Sequence, residues 1–394
     1  MASSRLHTAG ESVFARYGAL ADAYKAINLA QGSPGFDPPA PLIDAVERAC
    51  REGKNQYSPP AGMPALRKAI AAHAERFYRM SVDPDTMVTV TAGATAGIFA
   101  VVTAFIGRGD EVVAFDPCYE SYEPAVRLSG GVLRRMRLYA PDTDHATWWF
   151  SPDELAAIVN DRTKLVLLNT PHNPTGKVFT VDELEQIAEL TASHGSLIAC
   201  DEVYEHLVYA PAAHVRMAAL PGLADRMITI GSAGKTFSAT GWRVGWLISA
   251  PALQGRMRTT HQTMVYSAPA PLQLAVAEGL AQSDAYFATV GAEYAARREL
   301  LTSILADAGM RPFAIEGSFF GIVDSARLGF DDDAEFCAFL TMEIGVTPLP
   351  CSAFFDPARA DAKRFARFAF CRNLDVLAEA GRRLHEFSPR TLIC

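Results

Sequence analysis

Along residues 86–250, short β-branched runs alternate with segments of helical periodicity. The runs are TMVTVTA, EVVAF, KLVLLNT, LIACD, MITI and RVGWLIS; the helical patterns lie near Thr95–Ile106, from Tyr119 and from Val181. This alternation predicts βαβ units, hence an α/β fold with a mostly parallel sheet and helices on both faces. Ligands of open α/β sheets sit beyond the carboxyl ends of the strands, so the residues just after each run are the first candidates for chemistry.

Beyond about residue 281 the texture changes. A long Ala/Glu/Arg helix, SDAYFATVGAEYAARRELLTSILADAG, precedes FAIEGSFFGIV, a second helix, GVTPLP, RFARFAF and a helix from Leu374. That succession predicts a smaller α+β lobe. The Gly- and Pro-rich QGSPGFDPPAP reads as an arm or lobe connection. A chain of 394 residues is long for one domain. The expected organisation is an N-terminal arm with part of the small domain over 1–40, a large domain over 41–280 and a small C-terminal domain over 281–394.

Composition narrows the class. With 49% hydrophobic and 20% charged residues, the chain reads as a soluble globular protein. A net charge of -8 offers no basic footprint for nucleic acid, and no apolar stretch reaches the length of a membrane span. The first thirty residues lack the pattern of a signal peptide. Seven scattered cysteines, never spaced CxxC, argue against a disulfide framework and against a zinc knuckle. The expected setting is the cytoplasm, with no metal.

The most informative stretch is MITIGSAGKTFSATGWRVGW, residues 227–246. A strand ending at Ile230 leads into a turn of small residues, Gly231 to Gly234, that presents Lys235 at the sheet edge. Most lysines are solvated surface charges. Here small neighbours let backbone approach a bound group, and Ser232 and Arg243 flank the lysine with donors, an environment suited to a phosphate and an aldehyde. A nucleotide-binding P-loop would also place GKT after a strand, but it needs glycine five positions before Gly234, and position 229 is Thr.

Ser232-x-x-Lys235, followed eight residues later by Arg243, resembles the lysine motif of fold-type-I, class I/II aminotransferases, which use pyridoxal 5′-phosphate (PLP). Within that family it is similar to the kynurenine aminotransferases, the glutamine transaminase K or cysteine-conjugate β-lyase group, and bacterial methionine aminotransferases. The likeness runs from INLAQGSPGFDPP to RFARFAF. It implies a large domain with a mostly parallel seven-stranded sheet between helices, and a smaller α+β C-terminal domain. It also implies a transferase of amino-acid metabolism that moves an amino group from an L-amino acid to a 2-oxo acid.

The resemblance assigns roles by position. Lys235 would carry PLP as a Schiff base, which requires a deprotonated amine; desolvation and a nearby charge such as Arg243 lower its pKa. Once displaced by substrate, the amine would be the general base at Cα. Asp201, ending LIACD, matches the aspartate that keeps the pyridine nitrogen protonated, although alone it would pass for an N-cap opening a helix at Glu202. Tyr204 and Asn173 match the partners of the phenolic oxygen, and HNPTG around Asn173 is also a turn. Gly93, Ala94 and Thr95 would cradle the phosphate at a helix N-terminus, joined by Ser232 and Arg243. Tyr119 in DPCYESYEP matches the aromatic wall of the ring, with Tyr122 as a competitor.

For substrate, Arg367 in RFARFAF matches the arginine that holds the α-carboxylate, with Arg364 and Arg372 competing, while Gly32 and Asn173 match contacts near it. Tyr57 in KNQYSPPAGMPALR matches a tyrosine that reaches the phosphate of a neighbouring subunit, implying a homodimer with shared sites. Two positions depart from kynurenine-type members. Ser33 stands where they carry an aromatic, and Tyr266-Ser267 where they carry Phe-His. The cofactor reading is untouched, and the donor stays open among hydrophobic, aromatic and sulfur-containing amino acids. Nothing marks an extra cation for a second carboxylate. The same chemistry also supports β- or γ-elimination or replacement, as in a C–S lyase. A non-catalytic regulator would carry a DNA-binding segment for which the arm leaves no room.

Overall fold

In the computed structural model, which describes residues 12–387, the apolar runs become strands of three sheets. In chain order the strands are β1 (Ile27–Asn28), β2 (Val88–Thr91), β3 (Glu111–Asp116), β4 (Val132–Arg137), β5 (Thr163–Asn169) and β6 (Leu197–Asp201). They continue with β7 (Met227–Ser232), β8 (Gly245–Ser249), β9 (Phe320–Asp324), β10 (Val346–Thr347), β11 (Leu349–Pro350) and β12 (Phe365–Ala369). The largest sheet has the order β2-β8-β7-β6-β5-β3-β4. Its neighbours pair in parallel from β7 to β4, and β8 runs antiparallel to both β7 and β2.

The central strands lack polar alternation because both sheet faces are covered. Val112 and Ala114 pack with Ile98 and Val101 of the helix Gly93–Phe105 on one face. Val113 and Phe115 pack on the other with Phe150 and Phe179. Each large apolar side chain so enclosed contributes about 1.5–3 kcal/mol. Edge strand β4 reads VLRRMR, and its arginines pair with carboxylates, Arg134 with Glu111 and Arg135 with Asp116. That polarity hides the strand from a hydrophobic reading.

Hydrogen-bonded register levels the strand ends that matter. Asn169 pairs with Asp201 across β5 and β6, and Ser232 pairs with Gly245 across β7 and β8. Thr91, which ends β2, lies opposite the same Gly245. The C-terminal part of the chain forms the antiparallel sheet β11-β12-β9, with helices Asp284–Asp307, Asp333–Phe339 and Leu374–Leu384 beside it. The first described helix, Val13–Tyr24, joins this part, since β1 pairs with β10 and Tyr17 Oη donates to the carbonyl of Ala334.

Several local expectations shift. The helix placed near Thr95 begins at Gly93, and the one placed from Tyr119 begins at Tyr122, leaving Tyr119 in the preceding turn. The strand MITI extends to Ser232, where the Ser232 hydroxyl caps a single helical turn, Ala233–Thr236, that carries Lys235. No helix opens at Glu202. Its N–H continues the sheet by donating to the carbonyl of Ile230, and a turn follows.

Candidate active site

At the level strand ends lies a cavity of about 360 Å³. It is lined by Gly32, Ala94, Thr95, Tyr119, Asn173, Asp201, Tyr204, Ser232, Lys235, Arg243 and Arg367, which are the expected site residues apart from Gly93 and Tyr57.

Lys235 Nζ donates to the carbonyl of Gly32 at 3.0 Å, beside the rings of Phe319 and Tyr204. Burial pushes its pKa down to about 8; Cys371 and Asp201 oppose that shift, and Arg367 and Arg243 assist it. Enclosure thus outweighs Arg243, the cation the sequence singled out.

Asp201 is held at one carboxylate oxygen and open at the other. Tyr122 Oη donates to Oδ2 at 3.1 Å, while Oδ1 is buried with no hydrogen-bond partner among the described residues. Burial raises the carboxyl pKa to about 6, against the hydrogen bonds from Tyr122 and the Val203 N–H. Tyr122 is therefore a partner of the carboxylate and not a cavity wall. Tyr119 faces the cavity, its hydroxyl 3.4 Å from Thr95 Oγ1. Behind Asp201, buried Arg216 pairs with both Glu202 and Glu205 and lies 3.8 Å from the Tyr78 ring centre. Removing one member of such a buried set costs about 3–5 kcal/mol, so the turn carrying Tyr204 is firmly fixed.

Asn169 joins two parts of the site. Its amide donates to the Asp201 carbonyl at 2.7 Å, and its Oδ1 accepts from the Asn173 N–H at 2.7 Å. Asn173 Oδ1 in turn accepts from Arg367 Nη1 at 2.7 Å. Arg367 is 0% exposed, donates also to the Ala30 carbonyl at 2.8 Å and stacks 3.9 Å from the Phe320 centroid. Its two competitors are engaged elsewhere. Arg364 pairs with Asp324, and Arg372 pins the carbonyls of Asn28 and Gln31.

At the other end, the N-terminus of helix Gly93–Phe105 opens toward Ser232 and Arg243. Gly93 has φ +83°, and a Cβ there would stand 2.7 Å from Arg243 Nη2. Arg243 itself holds a left-handed backbone at φ 54°, a conformation that non-glycine residues rarely adopt and that clusters at functional sites. Tyr57 is 83% exposed and lies edge-on to Tyr266 at 5.0 Å.

The family model for aminotransferase class I and II matches residues 24–378. This chain is a class I/II aminotransferase. It is 37% identical to the methionine aminotransferase of Escherichia coli (strain K12) over 97% of each chain. It is 39% identical to a probable N-succinyldiaminopimelate aminotransferase of Mycobacterium tuberculosis over 99% of each. A kynurenine–oxoglutarate transaminase of Dictyostelium discoideum is 34% identical, covering 96% of this chain and 94% of its own. Among solved structures, the E. coli methionine aminotransferase superposes with a TM-score of 0.93 at 36% identity, covering 98% of this chain and 100% of its own. The M. tuberculosis enzyme gives 0.94 at 40% identity, covering 98% of this chain and 99% of its own.

The aminotransferase depends on PLP. Its residues fit that group on grounds of their own. Among the described residues a buried carboxylate oxygen lacks a donor, an amine of lowered pKa lines the same cavity, and a helix N-terminus with Arg243 forms an anion-binding end. Sequence reasoning missed further lining residues. Asn169 and Glu120 lay unremarked inside motifs already singled out, and Phe320 lay inside FAIEGSFFGIV. Phe14, from the first described helix, carried no local signal.

Proposed function

We propose that this aminotransferase takes its amino group from a neutral L-amino acid with a hydrophobic, aromatic or sulfur-containing side chain and passes it to a 2-oxo acid. The observation that carries the substrate class is the charge inventory of the cavity. Among its described lining residues the cations are Lys235, Arg243 and Arg367. With the first two committed to the cofactor, Arg367 is left for one carboxylate. Glu120 lies in the same wall, its carboxylate without a hydrogen bond among the described residues, and burial raises its pKa against the pull of Arg367. A second substrate carboxylate would meet that acid. The remaining walls include Phe14, Ile98 and Phe320, which suit an apolar side chain. Relatives named for methionine and kynurenine support this reading.

When bound, PLP supplies an electron sink for the substrate Cα and a store for the amino group between half-reactions. In this reading Gly93, Ala94, Thr95, Ser232 and Arg243 hold its phosphate, and Asp201, steadied by Tyr122, keeps its ring nitrogen protonated. Tyr204 and Asn173 take its phenolic oxygen, and Tyr119 bounds one ring face. Arg367, oriented by Asn173, binds the α-carboxylate, near the main chain at Gly32. Lys235 attaches the cofactor and, when free, moves the proton at Cα.

A donor scan tests the proposal. Methionine, phenylalanine or kynurenine should convert the bound cofactor stoichiometrically to pyridoxamine phosphate, and aspartate and glutamate should do so far more slowly. Faster reaction with the dicarboxylates, or release of pyruvate and ammonia without an acceptor, would overturn it.

The homodimer belongs to the same reading. Exposed Tyr57, Met264, Val265 and Tyr266 form an apolar rim that a second copy would cover, bringing Tyr57 to the partner's phosphate. Sedimentation should give a dimer at assay concentrations; full activity in a monomer would refute the sharing. The described cysteines are all unpaired thiols, most of them buried, which favours the reducing cytoplasm. The division at 40 and 280 is supported by the seven-stranded sheet lying within residues 88–249 and the three-stranded sheet within 320–369.

A further inference from the structure

We propose that His261 is a positioning residue for the phosphate end of the cofactor site, acting through the main chain at Ala92. This rests on the reading of helix Gly93–Phe105 as the phosphate cradle.

The helix Pro251–Val265 runs alongside β2 and contacts it with a stripe of three polar side chains. Gln254 donates to the Met87 carbonyl at 2.7 Å and accepts from Thr89 Oγ1 at 2.6 Å. One turn later Arg258 donates to Thr89 Oγ1 at 3.2 Å and to the Val88 carbonyl at 3.1 Å. His261 is the last rung. Its Nε2 accepts the N–H of Ala92 at 3.0 Å, beyond the end of the strand.

Ala92 is the N-cap position of helix Gly93–Phe105, and its own side chain cannot cap. The turn is instead pinned from outside. Thr91 Oγ1 donates to the Gly93 carbonyl at 3.0 Å, and His261 takes the Ala92 N–H. Between these two ties Gly93 keeps its left-handed backbone beneath Arg243. The following amides, of Gly93, Ala94 and Thr95, are the unpaired first-turn donors that an anion needs. Without the imidazole the Ala92 N–H loses its acceptor, and the Thr91 hydroxyl is left as the one of these two ties that aims the amides after it.

His261 keeps this contact at a cost. Accepting at Nε2 assigns its proton to Nδ1, and Nδ1 is buried with no partner among the described residues. A buried, unsatisfied N–H opposes folding, so core packing does not account for an imidazole here. Burial also lowers its pKa, which favours the neutral form that can accept.

The test compares PLP with pyridoxal, which lacks the phosphate, on the full chain purified as holoenzyme and then resolved to apoenzyme. His261→Leu should weaken PLP binding about tenfold, the equivalent of one hydrogen bond, and leave pyridoxal binding unchanged. Inhibition of PLP binding by inorganic phosphate should weaken in parallel. His261→Gln, whose side-chain oxygen reaches a similar point, should recover most of the loss, and His261→Asn, which is shorter, should not. Should the leucine variant fail to fold, the Gln and Asn pair decides. Equal losses for PLP and pyridoxal, or no difference between Gln and Asn, would overturn the role of His261. A wild-type protein that prefers PLP no more than pyridoxal would instead overturn the phosphate-cradle reading itself.

Discussion

Lys235→Ala is expected to slow transamination by about 10²- to 10⁴-fold from loss of the base alone, and borohydride should no longer fix PLP to the chain. The residue has no substitute. Its amine donates to the Gly32 carbonyl, and the other cations among the described lining residues, Arg243 and Arg367, are guanidiniums that cannot form a Schiff base. The same geometry sets a pH dependence. Only the neutral amine attacks the cofactor's aldehyde, and burial lowers the Lys235 pKa to about 8. Covalent capture of PLP by stripped enzyme should therefore quicken as pH rises through about 8 and level off above it. Capture rates read at the absorbance of the bound cofactor check the sign. A borohydride-labelled peptide from a different lysine would contradict the assignment.

Arg367→Ala should lower kcat/KM for amino acids by about 10²- to 10³-fold, the scale of a lost charge-assisted fork to a buried carboxylate. Burial lowers the guanidinium pKa only to about 10, so it stays charged at neutral pH. Alanine would also strand Asn173 Oδ1 and the Ala30 carbonyl, both of which accept from this side chain. Arg367→Lys keeps the charge but loses the planar fork and the stacking on Phe320, so an intermediate loss is expected. The decisive comparison is an amine of the same side chain without the α-carboxylate. Its slow reaction should be nearly the same in wild type and variant. An Arg367→Ala enzyme within threefold of wild type on amino acids would remove Arg367 from substrate binding.

The residues visible in the sequence share a property. Lys235, Asp201 and Asn173 lie at or just beyond the end of an apolar run, so a local pattern exposes them. Arg367 lies within the late strand itself. The missed partners depend on contacts across the chain. Tyr122 meets Asp201 over 79 residues, and its place became clear only once the helix began at Tyr122 and not at Tyr119. His261 reaches Ala92 across 169 residues from the helix Pro251–Val265, a segment the sequence marked only at its end, where Tyr266 and Ser267 depart from kynurenine-type members. The direction of β8 was also hidden, because a strand buried on both faces shows the same apolar run whichever way it points. Edge strand β4 was lost for the opposite reason, its arginines masking its period.

The pairing of β1 with β10 and the grip of Arg372 on Asn28 and Gln31 bear on how the protein is made. Domains form as their residues leave the ribosome, from the N-terminal end. Everything proposed to hold or position the cofactor within one chain lies between residues 91 and 261 and can assemble while synthesis continues. The loop bearing Gly32 emerges early yet waits for residues 346–372 before its tethers exist. The nascent protein thus acquires the means to bind its cofactor well before it can recognise a substrate.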